Sequence, residues 1–183
     1  SVEVSDSFRA PDGVSKFVQV VGDSFPGPLR SGQLGDTLLV TVSNRMAQSA
    51  YTMHWHGLSQ HGLPWHDGVA SLTEGGIQPY QRFTYNVSLN RAGTNFWHSH
   101  TGMIRGQGAF GPLVVYAAGE PARLGYTEER IVLLNDWYVT RVNLRRAVSH
   151  HTAAVLVPGG TRTWPRWRRR STSRERASNG SGT

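Results

Sequence analysis

Between Val2 and Tyr138 the apolar positions come in short β-branched or aromatic runs, cut by Gly, Pro, Asn and Asp. That is the pattern of strands joined by turns, and no stretch keeps a helical period for long. Strands are expected over Val2–Phe8, Lys16–Val21, Thr37–Ser43, Tyr51–Gly57, Arg82–Leu89, Thr94–His98, Gly111–Tyr116 and Arg130–Asn135. The breaks are explicit at Pro11-Asp12-Gly13, Phe25-Pro26-Gly27-Pro28, Gly75-Gly76 and Ala92-Gly93. Phe83, Tyr85, Val87 and Leu89 alternate with Thr84, Asn86 and Ser88, so one face of that strand can be buried while the other meets water. Strands of this number and length predict an all-β sandwich or barrel.

Composition agrees with that fold class. Of 183 residues, 38% are hydrophobic and 17% charged, with 21 Gly and 9 Pro, a mixture suited to a turn-rich β protein. The length allows one domain of ordinary size and leaves too little for a second large one. No run approaches the roughly 18 apolar residues of a membrane helix, so a membrane partner is not expected. The chain opens at Ser1 with neither an initiator Met nor an apolar leader, so any signal peptide is expected to lie outside this sequence. There is no Cys, which removes disulfides, thiolate metal sites and cysteine nucleophiles from consideration.

The formal charge of +7 is unevenly spread. Residues 139–183 hold ten Arg against one acid, Glu175, whereas the first 138 residues carry nine basic side chains against eleven acidic ones. After Trp137-Tyr138 the alternation useful to a sheet stops, and Arg166-Trp167-Arg168-Arg169-Arg170 and Ser-rich ends follow. The expectation is a domain over 1–138 followed by a basic, low-complexity, disordered tail over 139–183. The tail's Arg, Ser and Thr bias resembles an out-of-frame translation of GC-rich DNA, which comparison of the other frames of the gene would test. As a nucleic-acid arm it would bind with an affinity that falls steeply with salt. The acidic domain beside it argues against nucleic acid as a partner.

The candidate chemistry lies between residues 54 and 100, where six of the eight histidines fall. Four of them form two tight pairs, His54-Trp55-His56 and His98-Ser99-His100. On a strand, a spacing of two aims both imidazoles to one side. Two such pincers on neighbouring strands would converge four neutral nitrogens, a donor set suited to copper, zinc or iron rather than to magnesium or calcium. Trp55 and Trp97 would then face the opposite side and pack in the core.

The flanking residues narrow the choice. Met53-His54-Trp55-His56-Gly57 and Asn95-Phe96-Trp97-His98-Ser99-His100 resemble the two first-domain copper motifs of the multicopper oxidases, the family of laccase and ascorbate oxidase. Upstream, Gly22-Asp23-Ser24-Phe25-Pro26-Gly27-Pro28 and Gly35-Asp36-Thr37 through Asn44 resemble the family's opening segment. Trp65-His66-Asp67-Gly68-Val69 resembles its W-x-D-G loop, and Gly102-Met103 through Val115 its closing strand. The resemblance covers most of residues 16–138. It implies a Greek-key, cupredoxin-like β-sandwich and a secreted protein. It also implies that His54 binds the type 2 copper and that His56, His98 and His100 bind the paired type 3 coppers of a trinuclear cluster that reduces O2 to water. Asp67 would stand on the solvent route to that cluster as a proton relay, although Asp-Gly is equally a turn signal in its own right.

The remaining histidines and methionines have plainer expectations. His61 and His66 are expected in loops near the site, His150 and His151 as incidental, and Met46, Met53 and Met103 in the core. Glu74-Gly75-Gly76-Ile77 stands where many relatives have Gln-Cys-Pro-Ile. A full family member supplies further histidines and a Cys-ligated type 1 copper from later domains, and this chain has none of these. The partners that the resemblance implies are therefore C-terminal cupredoxin domains or another subunit, O2 and a small, phenolic reducing substrate. Alternatively the chain is a stand-alone copper or zinc binding module without catalysis. A zinc hydrolase would need a carboxylate base near the metal, and only Asp67 offers itself.

Overall fold

The computed structural model describes residues 1–138, 151–157 and 160–162. The first of its sheets joins β1 (Val2–Arg9), β2 (Lys16–Val21), β4 (Thr37–Asn44) and β6 (Arg82–Ser88) in the order β2-β1-β4-β6. The second joins β3 (Arg30–Gln33), β5 (His54–His56), β7 (Gly93–His98) and β8 (Phe110–Tyr116) in the order β3-β8-β7-β5. The chain passes back and forth between these sheets from β2 to β7, which gives the Greek-key, cupredoxin-like sandwich. Pairing is antiparallel except for β1 with β4 and β3 with β8. A five-residue helix, Glu120–Leu124, follows β8, and no described helix is long and apolar enough to cross a membrane.

The inner faces meet in one core. Val4, Val40, Val42, Tyr85 and Val87 of the first sheet pack with Trp55, Trp97, Leu113 and Val115 of the second, all at most 3% exposed. Strand β2 is buried on both faces: Val21 joins this core, while Val18 and Val20 join a second cluster with Phe110 and Trp137, closed by Phe25. Phe25 meets the Trp137 ring edge to face at 4.9 Å, and the Lys16 ammonium lies 4.5 Å from the Trp137 ring centre.

Several elements differ from the sequence expectation. Arg30–Gln33 carries no β-branched residue, yet it is a strand because β8 offers it a parallel edge, from Arg30 opposite Leu113 to Gln33 opposite Tyr116. The strand expected over Tyr51–Gly57 shrinks to His54–His56, with Tyr51 bridged separately to Ile77. The strand expected at Arg130–Asn135 is β9 (Leu133–Tyr138).

The strands also do not stop at Tyr138, and β9 belongs to a separate three-stranded sheet. Within the segment expected to be a disordered tail, β10 (His151–Val157) pairs antiparallel with β9 along six residue pairs, and β11 (Gly160–Arg162) pairs with β10, in the order β11-β10-β9. The physical reason is pairing: Thr152, Val155 and Val157 are β-branched, and the edge of β9 supplies partners for the backbone of the whole segment. Most of the Arg-rich expectation, with His150, lies outside the described residues.

Candidate metal centre

Antiparallel pairing of β5 with β7 sets His54 opposite His98, Trp55 opposite Trp97 and His56 opposite Phe96. Because side chains alternate, this register sends both tryptophans into the core, each 0% exposed, and the histidines to the other face. Ring centres lie 5.3 Å apart for His54 and His98, 5.4 Å for His54 and His100, 5.6 Å for His56 and His98, and 5.9 Å for His98 and His100. The histidines of both sequence pairs therefore gather on one face. One ligand nitrogen from each of His54, His56 and His98 falls within 4.8 Å of the other two. The closest contact is His98 Nε2 to His56 Nδ1 at 3.4 Å.

Two of the rings are fixed from behind. His54 Nδ1 donates to the Asp67 carbonyl at 2.7 Å, and His98 Nδ1 donates to the Ser99 carbonyl at 2.8 Å. A carbonyl accepts only, so each Nδ1 carries the proton and each neutral ring keeps the Nε2 lone pair, the form a metal needs. His98 is 3% exposed. Burial, helped by the nearby Arg105 charge, pushes its pKa down to about 4, so it is neutral near pH 7. Burial and the surrounding positive groups also lower His56. Together these features fit a soft-to-borderline transition metal such as copper, and they do not fit a hard cation that wants oxygen.

The surroundings hold this arrangement in place. Phe96 stacks on His56 at 4.6 Å and on His98 at 5.0 Å, and the Arg105 guanidinium sits 5.1 Å from the Phe96 ring centre. The buried Thr52 hydroxyl accepts the His100 amide at 3.2 Å. Asp67 closes a single 3-10 turn, Pro64–His66, and its Oδ1 lies 3.4 Å from His54 Nδ1, so the carboxylate stands beside the cluster. It is at once a turn residue and a neighbour of the site. Gly68 explains why the turn fits: with φ +76°, a Cβ there would lie 2.0 Å from the Met53 carbonyl oxygen.

The other candidates separate cleanly. His66 accepts the Asn86 amide at 3.2 Å and packs on Phe83, so it caps the edge of β6. His61 is exposed in a turn. Met46 and Met53 are core residues at 1% and 0% exposure, but Met103, expected in the core, is 37% exposed. It follows Gly102 in the loop after β7, where no sheet position turns it inward. Phe96 and Thr52 escaped notice in the sequence, although each stands two residues before a cluster histidine. Glu74 and Tyr85, described below, left no local signal.

Comparison with known proteins agrees with this geometry. Residues 3–120 match the family model described as multicopper oxidase. An L-ascorbate oxidase of Brassica rapa subsp. pekinensis is 40% identical over 137 residues, 74% of this chain and 24% of that protein. Laccase-1 of Cryptococcus neoformans var. neoformans serotype D is 40% identical over 138 residues, 74% of this chain and 22% of that protein. The solved structure of a blue copper oxidase from Nitrosomonas europaea is similar at a TM-score of 0.73 and 26% identity, over 85% of this chain and 52% of that one. The sandwich is thus that of a multicopper oxidase domain, and the chain belongs to the multicopper oxidase family. It spans about a quarter of the length of the two curated relatives.

Proposed function

We propose that this chain is the N-terminal copper-binding domain of a laccase-like multicopper oxidase. In this role His54 holds the type 2 copper, and His56, His98 and His100 hold the paired type 3 ions. The observation that carries the proposal is the convergence of four imidazoles, three on the adjoining strands β5 and β7 and His100 just past the end of β7, two of them oriented by backbone carbonyls. When bound, the copper cluster supplies the four-electron reduction of O2 to water.

The chain's own residues do the rest of this half of the work. Asp67 has two tasks. Its carbonyl fixes the His54 ring, and its carboxylate, a quarter exposed, holds protons at Oδ1 on the way to the site. Phe96 walls His56 and His98 on one side and excludes water there. The remaining imidazoles, and a Cys-ligated copper that receives electrons from a small, phenolic reductant, come from further cupredoxin domains or another subunit, because this chain has no Cys. The same family likeness points to an extracellular protein.

The alternative, a stand-alone copper or zinc module, shares these ligands and is separated by activity. The purified 183-residue chain should take up Cu(II) in calorimetry, and His54→Ala with His98→Ala should reduce that uptake. It should show no band at about 600 nm, since that band belongs to a thiolate-bound copper. It should not oxidise phenols alone, and should do so only when joined to the domains that bring the missing ligands. Copper uptake unaffected by the double substitution would overturn the site, and sustained phenol oxidation by the isolated chain would overturn the half-site assignment. Metal binding without oxidase activity in the joined protein would favour the module.

A further inference from the structure

Among the described residues, strand β5 has a strand neighbour, β7, along one edge only. Residues 64–77 hold its other side. Gly68 packs directly on the Met53 and His54 backbone, and Tyr51 and Ile77 exchange backbone hydrogen bonds of 3.0 and 2.8 Å. A third tie runs through side chains. The Tyr85 hydroxyl of β6 donates to Glu74 Oε1 at 2.6 Å, and its oxygen accepts the Met53 amide at 3.0 Å. Met53 immediately precedes His54, and none of these three residues touches the cluster's ring nitrogens.

A phenol has a single proton to give. Tyr85 is 0% exposed, and burial, reinforced by the Glu74 carboxylate, pushes its ionisation far up, so it stays O–H. With that proton directed at Glu74, the lone pairs of the oxygen face the Met53 N–H. Remove the acceptor, and a buried hydroxyl must rotate to find another, leaving the Met53 amide poorly matched.

We propose that Glu74 is a positioning residue for the imidazole cluster. By aiming the Tyr85 hydroxyl it fixes the Met53 amide, and with it the backbone from which His54 reaches the Asp67 carbonyl. Its consequence for copper presupposes the copper-binding role proposed above, whereas its consequence for the His54 ring does not.

The test uses the full chain, labelled with nitrogen-15, in two measurements. Imidazole proton–nitrogen spectra of the metal-free chain read the Nδ1–H bonds of His54 and His98, and calorimetry with Cu(II) reads affinity. Glu74→Leu and Tyr85→Phe should shift or broaden the His54 Nδ1–H signal, leave that of His98 in place, and weaken Cu(II) binding on the order of tenfold. Glu74→Gln, whose amide oxygen accepts the same bond, should restore both. An unchanged His54 signal in Glu74→Leu would overturn the proposal, as would equal loss of the His54 and His98 signals, which marks general loosening. Should Glu74→Leu fail to fold, Tyr85→Phe, which keeps the ring in the core, decides the same question. A wild-type chain that binds no copper would remove the proposed function, while the imidazole spectra would still decide the role of Glu74.

Discussion

The two faces of the β5–β7 pair alternate along the same strands, with His100 just beyond β7, and behave as opposites. On the inner face Trp55 and Trp97 are fully buried, and the Trp97 indole donates to the Pro28 carbonyl at 3.1 Å. Backbone closes on that ring so tightly that a Cβ at Gly27 or Gly111 would sit 2.2 or 2.4 Å from it. On the outer face His56 and His100 are exposed, and the His56 and His98 rings meet nitrogen to nitrogen at 3.4 Å, His56 Nδ1 facing the His98 Nε2 lone pair. The tryptophan face packs within the core of the chain, whereas the histidine face turns its ring nitrogens away from that core. Substitutions on the first should therefore cost stability, and those on the second should cost binding.

The largest effect belongs to Trp97→Ala, which should lose about 3–5 kcal/mol, as large-to-small changes in a packed core do, measured by urea denaturation. A midpoint close to wild type would mean that the indole is not packed as described. Gly111→Ala adds a single methyl against the same ring and should cost about 1–3 kcal/mol by overpacking. Across the strands, His56→Ala with His100→Ala should weaken Cu(II) binding about tenfold or more, because each removes a ligand or its neighbour. The same pair should leave stability within about 0.5 kcal/mol, since both side chains are exposed. Loss of stability comparable to that of Trp97→Ala would abolish the distinction between the faces.

A pH titration sharpens the comparison at its one intermediate residue, because His98 belongs to the binding face but is buried. Its pKa is about 4 in the folded chain against an ordinary 6.5. As pH falls below about 6.5, the unfolded chain takes up this proton and the folded chain does not. The metal-free chain should thus lose stability between roughly pH 6.5 and 4 and show no His98 contribution above that window. His98→Gln should flatten the profile there, and an unchanged slope would mean that His98 is not buried as a neutral ring. The smallest effect is expected at Met103→Ser, within about 0.5 kcal/mol and without change in copper affinity, because this side chain is exposed.

Much of this contrast was legible in the sequence. The H-W-H and W-H-S-H spacings determine that tryptophans and histidines part to opposite faces wherever those segments are extended, since a strand alternates with period two. The short β-branched runs between turns likewise determined an all-β sandwich or barrel, and the resemblance to the family chose the sandwich. What the sequence left open was everything carried by residues far apart along the chain. Arg30–Gln33 has no strand propensity of its own and became one because β8 presented an edge. His151–Val157 reads as isolated within a basic segment, yet it completes a sheet through pairing with β9. Asp67 reads as a turn signal, and only the fold brings its carbonyl to His54, thirteen residues away.

The same division holds for the supports of the site. Alternation is a local property of the backbone, so residue order alone dictates which side chains can share a face. Register and approach are not local. His54 stands opposite His98, and not one residue further on, because that pairing buries both tryptophans together, and a slip of one would turn them out to water. Glu74, Tyr85 and Met53 come from three separate segments, and their hydrogen bonds exist only once the two sheets have packed. The sequence by itself determined the donor set and the side on which it lies. The tertiary structure decided how closely the rings gather and what holds them, because hydrogen bonds between distant segments form only after the core has excluded water.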